Sequence, residues 1–197
     1  VMDDEGIILN TGLALYEEGE LFAASKGYWV GDDFMLVEGR LDKRPFLYAY
    51  IISLVHHVAG YRIGNAFVLN FAFGLCICLI GWSLLCRFFS PLVSFLAMLP
   101  LLSCSVFLQC VRGAGFETFN FLMLALLGWS MLRYYDYPNL KNQALLVQTA
   151  ILLSYSRYES VGVIPVVGLF IALIVRPDSR SVRVLCIAPW LLVPYLW

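Results

Sequence analysis

Of the 197 residues, 61% are hydrophobic and 14% charged, with a formal net charge of −1, a composition that excludes an ordinary soluble domain. Runs 63–86 and 88–111 contain no charged residue, and each exceeds the roughly 18 apolar residues that mark a membrane-span candidate. The expected fold class is therefore all-α, a polytopic transmembrane helical bundle in a multi-pass membrane protein.

The near-neutral total conceals an asymmetry. Residues 1–42 hold ten of the fourteen acids and only two bases, Lys26 and Arg40, whereas 43–197 hold eleven bases and four acids. This separates an N-terminal extracytoplasmic loop with amphipathic or juxtamembrane helices (1–62) from a membrane bundle of about six helices (63–197). The chain opens on Val1 without an initiator methionine and stops inside the apolar run "VLCIAPWLLVPYLW", so it reads as a fragment truncated at its C-terminus. Its six cysteines (76, 78, 86, 104, 110 and 186) lie in or beside apolar runs without zinc-ligand spacing, and are read as packing residues.

In chain order, 4–18 suit a helix with Ile7, Ile8, Thr11 and Leu15 on one face and Gly19 as terminator. Residues 19–45 read as a loop punctuated by Gly19, Gly27, Gly31 and Gly39. Pro45 then starts "FLYAYIISLVHHVAG", which is too short for a span and suits the membrane interface. Full spans are expected over 63–86, 89–111, 116–132, 143–157, 159–175 and 184–197. With 46–59 in the interface, the bases Arg87, Arg133, Lys141, Arg176, Arg180 and Arg183 share one side, which the positive-inside bias favours. "QCVRGAGFET" and "SYSRYES" then emerge on the opposite face, together with Asp3, Asp4 and Glu5. Each puts an arginine near an acid: Arg112 with Glu117, and Arg157 with Glu159.

Asp3-Asp4-Glu5 admits three readings. It could be a solvated helix start favoured by the macrodipole, a hard-oxygen metal site lacking calcium-loop spacing, or a general base for an acceptor hydroxyl. Lys43 and Arg44 either anchor the interfacial helix by snorkelling or grip a phosphate at the membrane surface. Arg157 and Glu159 are either an ion pair tying two helix ends or part of an anion site for a lipid-linked phosphate. His56 and His57 read as packing residues.

The ordered set of the early acids, the Lys-Arg-Pro turn, "LYAYIISLVHHVAG", "YRIGNAFVLNFAFG", "VRGAGFETFNFLMLALLGW" and "SRYESVGVIP" resembles the membrane part of GT-C glycosyltransferases. It is similar specifically to the protein O-mannosyltransferase-like group that includes aminoarabinose transferases, over roughly residues 3–175. The resemblance implies inverting transfer of a sugar from a polyprenyl-phosphate donor to a lipid, glycan or protein hydroxyl on the extracytoplasmic or lumenal face. It implies no metal, cofactor or nucleic acid, and a plasma, bacterial inner or endoplasmic reticulum membrane. Asp4 matches the catalytic carboxylate, with Glu5 and Asp3 beside it. Lys43 matches the lysine that approaches the lipid phosphate, and Arg44 stands where a proline is usual. Arg112 matches the arginine at the outer end of a span, and Arg157 joins the donor-phosphate set. Glu117 and Glu159 are candidate contacts to acceptor or sugar, although an aspartate preceded by proline is commoner at the position of Glu117. A span would precede residue 1. The competing readings are a transporter or channel module lined by Arg112, Glu117, Arg157 and Glu159, and a non-catalytic scaffold.

Overall fold

A computed structural model of the chain describes residues 3–21, 23–31, 33–40 and 46–174. The described structure is predominantly α-helical and divides into two compact units, 1–119 and 120–197. The expected boundary at 62/63 lies inside the first unit.

The first unit begins with helix α1 (Asp3–Glu17), ended by Gly19 at a φ of 71°, as the terminator reading requires. Its buried residues Ile8, Thr11 and Ala14 form one stripe, and the Thr11 hydroxyl, unable to reach water, donates to the Ile7 carbonyl (3.0 Å). The segment expected as a loop instead holds an antiparallel hairpin of β1 (Ala23–Val30) and β2 (Asp33–Arg40), with Val30 opposite Asp33. The glycines that suggested a loop serve the hairpin. Gly31 opens the two-residue connection at a φ of 66°, a conformation that glycine adopts without steric cost. The register slips on both sides of Lys26.

Helix α2 (Leu47–Ala59) buries Tyr48, Ala49, Ile52, Ser53 and His56, the i, i+4, i+8 face of a helix lying on other elements. It packs on α1 where Gly12 meets Ile52; an added Cβ there would stand 3.0 Å from Ile52 Cγ2. The C-terminal end of α2 is tied by an amide to α3 (Gly64–Leu85). Asn65 Nδ2 donates to the Gly60 carbonyl (2.8 Å) and to His56 Nδ1 (2.9 Å), so Nδ1 of His56 is the unprotonated nitrogen. Tyr16, Tyr61 and His57 surround the pair: Tyr16 lies edge-on to both histidines and stacks with Tyr61. Both histidines are thus packing residues.

Burial, reinforced by the His57 ring, lowers the His56 pKa, and the Gly60 carbonyl opposes this in part. A histidine that binds its proton more weakly folded than unfolded leaves stability intact above about 6.5 and removes it as pH falls below. Thermal unfolding is therefore expected to shift downward between pH 7 and pH 5, by less in His56→Gln than in wild type. An equal shift in both would assign the acid sensitivity to other groups.

Helix α3 is the one described helix long and apolar enough by itself to cross a membrane, and only 17% of its most apolar 18-residue stretch is buried. A core helix of a soluble domain would be mostly covered; here Val68, Phe71, Leu75, Leu79 and Trp82 remain exposed.

The run expected as a single span over 89–111 is broken. Helices α4 (Pro91–Ser103) and α5 (Ser105–Arg112) meet at 73°. Pro100 removes a backbone donor within the last turn of α4, and Cys104 is extended, so the ladder stops there. The two pieces nevertheless return along α3 in antiparallel order. Trp82 Nε1 donates to the Pro91 carbonyl (3.3 Å), Gly81 lies against Met98, Gly74 against Val111, and Asn70 against the backbone after Arg112. From residue 82 to residue 70, α3 covers about 18 Å. The α4–α5 pair follows that whole length and is one broken limb.

The second unit contains most of α6 (Glu117–Asp136), α7 (Leu140–Ser154), a 3-10 turn (Tyr158–Gly162) and α8 (Val163–Ile174). Each helix coincides with an expected span, but none passes alone as membrane-crossing among the described residues. Residues 184–197, expected as a further span, lie outside the described residues. Asn139 caps α7 by accepting from the Asn142 amide (2.9 Å), which fixes the tight turn after Pro138.

Candidate functional site

Helix α5 ends on Arg112 because Gly113 is extended (φ −84°, ψ 176°), and α6 begins only at Glu117. The intervening turn, Gly113-Ala114-Gly115-Phe116, is held from three directions. From α3, Asn70 Nδ2 donates to the carbonyls of Gly113 and Gly115, both at 2.8 Å. From α2, the Tyr48 hydroxyl donates to Asn70 Oδ1 (2.9 Å). From α1, Glu5 Oε1 accepts from the Ala114 amide (3.0 Å). Tyr48, Asn70 and Ala114 are at most 1% exposed, so each of these bonds satisfies a group that water does not reach.

The two glycines have a steric purpose. A Cβ at Gly113 would stand 2.5 Å from Glu5 Oε1, and a Cβ at Gly115 would collide with the Glu117 carboxylate. Two carboxylates more than a hundred residues apart in sequence therefore lie on one tripeptide. Both act on Tyr48: burial first, then Glu117 and more weakly Glu5, push its phenol well above its usual range, and the Asn70 bond opposes them only in part. The phenol consequently stays protonated and keeps donating. Its ring stacks on Phe119 of α6 (5.7 Å between centroids), and Phe73 of α3 completes the cluster.

Of the acids expected at the site, Glu5 reaches the turn, and Asp3 and Asp4 precede it in the first turn of the same helix. Arg112 and Glu117 are both exposed at the two ends of the turn. Expected near each other in one loop, they make no ion pair among the described residues, and the turn carries the Glu117 carboxylate back onto Gly115. Lys43 and Arg44 lie outside the described residues.

Arg157 and Glu159 do pair, in the second unit, with Nε to Oε2 at 3.5 Å and side chains 41% and 70% exposed. Of the two readings of this pair, an ion pair is what the described residues show, and one this exposed contributes little. The corner is tied to α6 by Asn120. Its Oδ1 accepts from Ser160 Oγ (3.1 Å) and lies 2.7 Å from Ser156 Oγ, holding the "SYSRYES" corner to α6.

The sequence reading missed Asn70, Tyr48 and Asn120. Asn70 had a signal, an amide near the middle of an uncharged run; Tyr48 had none, because a tyrosine in an interfacial helix is ordinary. Beside Glu117, the Thr118 hydroxyl is buried with no hydrogen-bond partner among the described residues. Thr118→Val keeps the shape and removes an unsatisfied group, so it is expected to stabilise the protein by about 1 kcal/mol in a denaturant titration. Destabilisation would mean that the hydroxyl is engaged.

No family model, curated protein or solved structure matches the chain.

Proposed function

We propose that the chain is the membrane part of a lipid-linked sugar transferase, acting at the turn between α5 and α6. The observation that carries the reading is the Glu5–Ala114 bond: it docks the acidic start of the chain on the residues that follow Arg112, which is where the GT-C resemblance needs a carboxylate and an arginine together. The bare apolar face of α3 and the return of α4–α5 beside it support a multi-pass membrane protein, with α2 in the interface.

In this reading Asp4 takes the proton of an acceptor hydroxyl as that oxygen attacks the anomeric carbon in line. The carbon–oxygen bond to the phosphate breaks, its electron pair leaves with the polyprenyl phosphate, and configuration inverts. Arg112, with Lys43 and Arg44, offsets the charge gathering on the phosphate. Glu5 anchors α1, and Glu117 is the candidate contact to sugar or acceptor, which is a lipid, glycan or protein. The membrane is a bacterial plasma or inner membrane or the endoplasmic reticulum membrane.

The test is transfer of labelled sugar from polyprenyl-phosphate donors by the full-length protein in membrane vesicles. Asp4→Asn is expected to lower the rate by about 10²–10⁴-fold with membrane insertion unchanged. Transfer at the wild-type rate in that variant would remove Asp4 as base. A second reading, a transport module, is favoured by the 73° break between α4 and α5, since discontinuous helices line many transport pathways. Solute flux in sealed vesicles without sugar transfer would select it.

A further inference from the structure

Asn70 sits wholly buried in α3, the one described helix long and apolar enough by itself to cross a membrane, where an amide is costly unless every one of its groups is matched. Here every kind of group is used. The NH2 bonds two carbonyls that flank a single residue, and Oδ1 takes the Tyr48 hydroxyl. No apolar side chain could hold a backbone turn this way, and a hydroxyl has one proton where two are needed. With the carbonyls of Gly113 and Gly115 held toward α3, the N–H between them is presented to Glu5. Tyr48 supports the amide from behind, and its own ring is fixed against Phe119, two residues beyond Glu117. One buried amide thereby sets the relation of α1, the end of α5 and the head of α6. Neither Asn70 nor Tyr48 has the exposure to touch a substrate, so whatever they contribute passes through the turn.

We propose that Asn70, backed by Tyr48, is a positioning residue for sugar transfer, holding the 113–115 turn so that Glu5, the start of α1 and the α6 head meet beside Arg112. The proposal rests on the transferase reading. The experiment uses the full-length protein in vesicles, radiolabelled polyprenyl-phosphate hexoses and pentoses as donors, and the membrane's own acceptors. It also follows amide hydrogen exchange across residues 110–118.

Asn70→Ala is expected to lower kcat by about 100-fold with donor KM within about twofold, the signature of lost orientation without lost donor binding. Exchange at Ala114 should rise by about tenfold or more, with protection over residues 75–85 unchanged. Tyr48→Phe, which keeps the ring and both bonds to the turn, should lower kcat by about threefold to tenfold with KM likewise unchanged. If Asn70→Ala does not accumulate in the membrane, Tyr48→Phe carries the test. An active wild type with unimpaired kcat in the variant, or with unchanged exchange at Ala114, overturns the positioning role and leaves sugar transfer standing. A wild type that transfers from none of the donors overturns the transferase reading, and the proposal falls with it.

Discussion

Gly74→Ala is expected to destabilise the first unit by about 1–3 kcal/mol, although the same change in an isolated helix would favour it by about 1 kcal/mol. The sign turns on Val111. A Cβ at position 74 would stand 2.8 Å and 2.9 Å from its two methyl groups, and Val111 is buried within α5. A β-branched side chain in a helix has one strongly preferred rotamer, so it cannot swing aside; the helices must separate. Val111 immediately precedes Arg112, so separation there also displaces the turn. Two controls isolate the cause. Gly81→Ala meets only the flexible tip of Met98 at 3.1 Å and should be nearly neutral, and adding Val111→Ala to Gly74→Ala should recover part of the loss. Equal effects at 74 and 81 in a denaturant titration would show that glycine flexibility, not the α3–α5 contact, is what matters.

The second large effect is expected at Asn70. Asn70→Leu preserves volume and suits the apolar helix, yet it strands the buried Tyr48 hydroxyl and Gly115 carbonyl and takes the partner from the half-buried Gly113 carbonyl. At about 1 kcal/mol or more for each stranded group, the loss should reach about 3 kcal/mol. Tyr48→Phe strands only Asn70 Oδ1 and keeps the stack on Phe119, so about 1 kcal/mol is expected. The double variant should then cost less than the sum of the two, because the hydroxyl stranded by the first change is absent in the second. Strict additivity would show that the two side chains do not act as one network.

What the sequence alone determined is what depends on neighbours along the chain. Apolar runs and the 3.6-residue period located α1, α2, α3, α6 and α7 near their observed positions, because a helix closes its hydrogen bonds within four residues. Gly19 and Gly60, both at positive φ, ended the predicted helices for the same local reason. The acids of α1 and the Arg112 turn likewise stood out in the sequence, as charges set at the edges of apolar runs. The hairpin escaped because its defining bonds pair Ala23 with Arg40 and Val30 with Asp33, and its glycines suit a turn and a loop equally. The break at Cys104 escaped because Pro100 and Cys104 sit in an unbroken apolar run, and hydropathy does not register a lost backbone donor. Which carboxylate meets the turn, and which side chains hold it there, was decided by tertiary structure alone. The Glu5–Ala114 bond closes over 109 residues and the Asn70 bonds over 43 and 45; contacts of that span leave no periodicity in a sequence, since each depends on two helices arriving at the same place.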